Sequence, residues 1–377
     1  MPKHPIYSKD ATVYLCTGVD KFEALQAAID QSGFIDNLTR TWQASDKTKA
    51  EYKVSIKPNI MTAANREPDS PTYTDPAMVE YLIAKMRDQG FEQFTVVEAE
   101  NVYNYSYYGR RVGAVAEMVG YTQRGYSVHS LTEDHVKFDY GGLLGMHVAG
   151  RVWLEADYRI SFAKNKTHWQ CFYTGTIKNL YGCLPLWDKM HYYHGSRRGA
   201  NIEFSDAAVL SANCIPANFG FLDAWMSGDG LTGHVRDADP NPTHTIFASE
   251  NIFAIDWVQG EKMQIAPMSN YMIQKGLAMW GQIDIKRVGD MTPWHPWTNV
   301  KPIFVNLMDI GEEWYKVSRF FSHTLAEAQD PRFTPTSTSL WYRTVHAALY
   351  RIDRLFTTGT SKADALPYEM PAIVGSE

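Results

Sequence analysis

Apolar positions alternate over Val13 to Thr17 and then recur at helical spacing from Phe22 to Ile29, so the chain opens as a strand followed by a helix. The polar stretch Thr39 to Lys49 predicts a loop or insertion. Tyr52 to Lys57 alternates again and stops at Pro58-Asn59, after which a segment rich in Pro, Asn and Asp runs to Pro76. Thr74 is placed to cap a helix beginning at Asp75-Pro76, and Met78 to Gln89 carries its apolar stripe up to Gly90. Phe94 to Glu98 reads as a strand, Val112 to Val119 as a helix ended by Gly120, and Tyr126 to Leu131 as another strand. This alternation predicts an α/β fold, a mostly parallel sheet with flanking helices.

The pattern continues beyond residue 150. Val152 to Phe162 contains the strand Ala156 to Phe162, which leads into Ala163-Lys164-Asn165-Lys166-Thr167-His168. Phe204 to Cys214 predicts a helix and Gly220 to Ala224 a strand. Ser227 to Gly233 predicts a glycine-rich loop, Thr245 to Ser249 a strand and Ile252 to Met263 a helix. A helix at Leu340 to Phe356 mixes Trp341, Tyr342 and Leu349 with Arg343, Arg351 and Arg354, which suits docking on the body or a sister subunit in a homo-oligomer better than lying on a membrane surface. At 377 residues the chain is long enough for two lobes. The expected division is an N-terminal α/β lobe over 1–150, a second α/β lobe over 151–300, and a C-terminal extension over 301–377.

A net charge of -6 and a pI near 6.1 argue against a nucleic-acid partner, because phosphate binding depends on a basic surface. Residues 1–20 hold no apolar core of a signal peptide, and no run of 18 apolar residues occurs anywhere. The expectation is a cytoplasmic chain without a membrane span. Cys16, Cys171, Cys183 and Cys214 form no Cys-x-x-Cys pair, so reduced thiols are expected rather than a disulfide framework or a four-cysteine cluster. Aromatic residues make up 13% of the chain, enough either to pack between layers or to line a pocket for a planar ligand.

Candidate chemistry concentrates between Lys164 and His194, where Lys164, Lys166 and Lys178 join His168, His191 and His194 within 31 residues. Lysine in a partly apolar setting loses pKa and becomes a base or nucleophile, and histidine titrates near neutrality. His168 and Lys178 are therefore the catalytic candidates. Lys57, Asn59, Lys166, Asn179 and Asp229 are candidates for holding an anionic substrate. His191 and His194, three apart, would share one side of a helix and suit a divalent metal, with Asp223, Asp229 or Glu98 available to complete its ligands. Each residue also has a plainer role: His168 bonded to backbone in the core, Lys178 extending from a helix, the histidine pair on an exposed face. Ser227 to Gly233 matches neither a dinucleotide fingerprint nor a phosphate loop.

Ser55-Ile56-Lys57-Pro58-Asn59, Thr74-Asp75-Pro76, Lys166-Thr167-His168, Gly175-Thr176-Ile177-Lys178-Asn179-Leu180-Tyr181-Gly182 and the Asp223 to Gly233 segment occur in that order. With these motifs, from roughly 50 to 265, the chain resembles the family catalogued as domain of unknown function 362. Many members of that family carry ferredoxin-like iron-sulfur modules, whose cysteine runs are absent here. A fainter likeness joins it to the nickel-pincer lactate racemase family. There a histidine, a lysine and a second histidine serve in proton transfer, cofactor attachment and nickel ligation, and His168 to Lys178 and His168 to His194 are separated by 10 and 26 positions in a similar spacing. That likeness implies that His168, Lys178 and His194 face one cleft. The glycine-rich signature expected before the first histidine is missing, so the cofactor does not follow.

Together these features imply an enzyme acting on a small or medium anionic, partly apolar or aromatic substrate by proton transfer or isomerisation, with or without a metal. The alternatives are a redox metalloprotein fed by an external electron donor and a non-catalytic small-molecule binder.

Overall fold

The computed structural model describes residues 4–63, 66–101, 107–168, 171–185, 204–229, 239–294, 297 and 334–335. The predicted alternation is present. Strands β1 (Asp10–Cys16), β2 (Lys53–Pro58), β3 (Gln93–Glu98), β5 (Ser127–Ser130), β8 (Tyr158–His168), β9 (Phe172–Thr174), β10 (Phe219–Asp229), β11 (Asp239–Ser249) and β12 (Asp284–Gly289) build one sheet. Its order is β12-β1-β11-β10-β8-β2-β3-β5, with β9 folded back on β8. The pairings β1/β12, β8/β10, β2/β8, β2/β3 and β3/β5 are parallel, whereas β11 runs antiparallel to both its neighbours and β9 antiparallel to β8. Strands from before and after residue 150 thus enter the same sheet, with β2 directly beside β8. Two small ribbons lie outside it, β4 (Tyr107–Tyr108) with β13 (Thr334–Pro335), and β6 (His135–Asp139) with β7 (Met146–Gly150).

Helices cover both faces, as buried parallel strands require. On one face α1 (Lys21–Gln31), α2 (Phe34–Gln43), α3 (Pro76–Asp88) and α4 (Val112–Val119) pack over Ile56, Val96, Ile160, Phe162 and Phe221. The opposite face carries α6 (Thr176–Tyr181), α7 (Phe204–Cys214), α8 (Ile252–Lys262) and α9 (Tyr271–Trp280), with the short α5 (Arg151–Leu154) at its edge. Many of the rings counted in the sequence pack between these layers: on the α1–α4 face Phe34 meets Phe219 and Phe221 edge-on at 5.0 and 5.2 Å.

Several boundaries move. The expected loop at Thr39 begins as the end of α2, a helix held by buried Phe34, Asn37 and Leu38, too few apolar anchors for a periodic signal. Asp75, not Thr74, caps α3 by accepting from the Ala77 N–H at 2.8 Å; Thr74 instead donates its hydroxyl to the Phe162 carbonyl. Ser227, Gly228 and Asp229 belong to β10 rather than to a loop, and Gly230 to Gly233 lie outside the described residues, as does the helix expected at Leu340. The four cysteines are free thiols, as expected. Among the described residues no helix is long and apolar enough to cross a membrane.

Candidate functional site

The strand β8 does not stop at Phe162. It continues as Ala163 to His168, so Lys164, Asn165 and Lys166 are buried strand residues at the carboxyl end of a parallel sheet, where α/β folds gather ligands. Alternation turns Lys164, Lys166 and His168 to the α3 face and Asn165 to the α8 face. Each buried polar group then needs a partner.

Lys164 pairs with Asp223 on β10 at 2.9 Å, both side chains fully enclosed. Burial pushes the Asp223 carboxyl up, Lys164 draws it back and Asp75 raises it again. Past this pair β10 shifts register: Asp223 faces Lys164, but the next residue matched to β8 is Gly228, opposite Lys166. Asn165 bridges the gap by donating its amide to the Ser227 hydroxyl at 2.7 Å. Lys166 donates to the Asn59 side-chain oxygen, the Thr62 hydroxyl and the Thr72 carbonyl at 2.9–3.1 Å, anchoring the connection between β2 and α3.

Lys57, at the end of β2, faces the α6 side. It forms an ion pair with Glu98 at 2.8 Å and donates to the Pro58 carbonyl and the Asn179 side-chain oxygen, so its three N–H groups are all engaged. Glu98 also accepts from the backbone N–H of Ala99 and Ile60. Asn179 donates to the Lys57 carbonyl at 2.6 Å and to the Ser161 hydroxyl. The residues assigned to substrate anchoring are thus largely consumed by one another.

Lys178 differs. It is half-buried on α6, and among the described residues it has neither a hydrogen-bond nor an ion-pair partner. Burial depresses its pKa below the usual lysine value, with Lys57 acting in the same direction and Cys171 and Glu98 opposing. The Cys171 thiol, also buried, is pushed up to about 12.

The short helix α6 that presents Lys178 is fixed at both ends. At its start Asp256 of α8 accepts from the Thr176 N–H and hydroxyl, each at 2.6 Å, and from the Ile177 N–H at 2.9 Å. A Cβ on Gly175 would sit 2.3 Å from an Asp256 oxygen and 2.4 Å from the Gln259 oxygen; one on Gly182 would sit 2.6 Å from the Lys57 ammonium. The two glycines that frame the motif are therefore needed for close approach. Asp256 and Gln259 escaped the sequence reading, although a carboxylate and an amide three apart on the buried face of an apolar helix were a signal.

Asp256 also gives a pH prediction. Burial raises its pKa from 3.8 to about 6 despite the three donors. The folded chain then holds the proton over a range where the unfolded chain has lost it, so this group's contribution to stability falls as pH rises from 4 to 6. Two pKa units correspond to about 3 kcal/mol. Unfolding of wild type and Asp256→Asn compared between pH 4 and 7 should show the variant lacking that slope; parallel curves would place the titration elsewhere.

His168 ends β8 opposite Phe172, whose backbone is held at φ 67°. It lies with Lys166 on one face while Lys178 stands on the other, so a site using both spans the carboxyl edge of the sheet. Asp229 is buried at the end of β10. His191 and His194 lie outside the described residues, and among the described residues no three His, Cys, Asp or Glu side chains converge to hold a metal. Asp223 and Glu98, considered as ligands to complete such a site, are engaged by Lys164 and Lys57.

The lysine and glycine motifs so arranged fall within residues 54–260, which match the family described as Domain of unknown function (DUF362). The chain belongs to this family. A relative of this DUF362 chain, the thylakoid-associated protein sll1697 of Synechocystis sp., is 32% identical over 114 residues, 30% of this chain and 35% of that protein. The match thus spans about a third of the relative's length. Among solved structures, the lactate racemase apoprotein from Thermoanaerobacterium thermosaccharolyticum covers 58% of this chain and 52% of its own at 12% identity and a TM-score of 0.35. It is a lactate racemase, the family to which the sequence bears its fainter likeness, and at this level of likeness it bears on neither substrate nor cofactor.

Proposed function

We propose that this DUF362 protein is an enzyme that moves a proton on a small or medium anionic organic substrate, with the Lys178 amine as the base. One observation carries the reading: of the four lysines at the carboxyl edge, Lys57, Lys164 and Lys166 hold structural partners, while Lys178 has none among the described residues and is biased toward its neutral form. A lowered pKa enlarges the share of neutral amine, the form that accepts a proton. Lys57 and Lys166 supply positive potential without direct contact, and Asn59 and Asn179 shape the edge. In this reading His168 is the second acid-base group across the edge, and His191 with His194 would hold a divalent metal if the reaction uses one.

The test is solvent exchange. The protein is incubated in D2O with a panel of carboxylates bearing an activated C–H, including aryl-substituted members, and deuterium incorporation or loss of optical purity is followed by NMR. Exchange that is present in wild type and lost in Lys178→Arg, whose guanidinium keeps its proton, supports the assignment. Exchange unaffected by Lys178→Arg refutes Lys178 as the base.

A further inference from the structure

The Lys57–Glu98 pair is an expensive device for its location. Both side chains are almost fully enclosed, and pairs of this kind are seldom a net source of stability compared with apolar packing. Lys57 cannot reach out to a substrate, since its three N–H groups are spent on Glu98, Pro58 and Asn179. Yet the pair sits directly under α6: Asn179, the residue after Lys178, accepts from Lys57, and the space a Gly182 side chain would need is filled by the Lys57 ammonium and a Glu98 oxygen.

We propose that Lys57 and Glu98 are positioning residues that set the protonation of Lys178 through their opposed fields, Lys57 favouring the neutral amine and Glu98 the ammonium. The inference rests on Lys178 being the working base, but its mechanism is electrostatic and can be read without a substrate. Lys57 and Glu98 act on Lys178 from β2 and β3, and Cys171, just before β9, is the third titratable group facing it; its thiol stays protonated near neutrality. Charge at Lys57 and Glu98 is therefore the adjustable part. In a poorly solvated place such fields are weakly screened.

The experiment is pulsed acetylation of the folded protein with acetic anhydride across pH 6 to 11, with the Lys178 peptide quantified by mass spectrometry, because only the neutral amine reacts. Lys57→Met removes the cation and should slow Lys178 labelling at neutral pH by about tenfold, the equivalent of one pKa unit. Glu98→Gln removes the anion and should accelerate it by a similar factor. Opposite shifts support the inference, because a general loosening of the fold would speed labelling in both variants. Shifts in the same direction, or none, overturn it. Should Lys57→Met fail to fold, the pH midpoint of Lys178 labelling in Glu98→Gln decides: a midpoint lowered by about one pH unit supports the proposal, because a loosened fold would relieve the burial and raise it, and an unchanged or raised midpoint overturns it. Opposed shifts in a protein without exchange activity would leave this inference standing and remove the proposed reaction; exchange without opposed shifts would do the reverse.

Discussion

Asp223→Asn is expected to cost about 3–5 kcal/mol of folding stability, the range for stranding one member of a buried ion pair. The change is isosteric and its one oxygen can still accept from the Asp75 N–H, but its amide nitrogen then meets the Trp225 N–H, so the loss combines that bond with the Lys164 ammonium left enclosed without its counter-charge. Denaturant unfolding at neutral pH measures the effect, and the double variant Lys164→Met/Asp223→Asn should recover a large part of it, because removing both charges removes the desolvation cost as well as the attraction. Buried ion pairs are seldom a net source of stability compared with apolar packing, so the pair calls for another role. Its position suggests what: Asp223 and Lys164 are the last matched residues before β10 leaves the register of β8, and they fix where the polar part of β8 begins. A double variant no more stable than Asp223→Asn would mean that the aspartate's bonds to Asp75 and Trp225, rather than the charge pair, carry its role.

The helices and strands that could be read from sequence are those whose buried residues are apolar. Val112 to Val119 with its terminal Gly120 was legible because a valine-rich face and a glycine at φ 110° are both local signals. The second half of β8 was not read as strand, because its buried residues are Lys164, Asn165, Lys166 and Thr167, and their burial is made tolerable by partners drawn from β10, α8 and the β2–α3 connection. Periodicity of hydrophobicity cannot register a strand stabilised in that way. The same limit applied within the site. The cluster of lysines was visible, but which lysine is spent and which is available depends on Asp223, Glu98 and Thr72, residues far away along the chain. Gly175 and Gly182 were visible as a motif, whereas their reason, the approach of Asp256 and of Lys57, is a matter of packing.

Lys178→Met should separate stability from function. A lysine whose folded pKa lies below its ordinary value binds its proton less readily in the fold than in the unfolded chain. Stability therefore rises with pH between the lowered value and the ordinary one of 10.5, and below the lowered value the full cost of burying the ammonium is present. Methionine occupies a similar volume without that charge, so the variant is expected to unfold at a higher temperature than wild type at pH 7, with the difference shrinking toward pH 10. Proton exchange on the substrate should fall by roughly 10²–10⁴-fold, the usual contribution of a positioned general base. The two signs together are diagnostic, because a lysine retained for structure would lose stability on replacement, whereas a working base held at a cost gains it. Thermal unfolding across pH 6 to 10 alongside the exchange rate measures both. A Lys178→Met protein less stable than wild type at neutral pH would show that the ammonium has a stabilising partner in the fold, and would withdraw Lys178 as the available base.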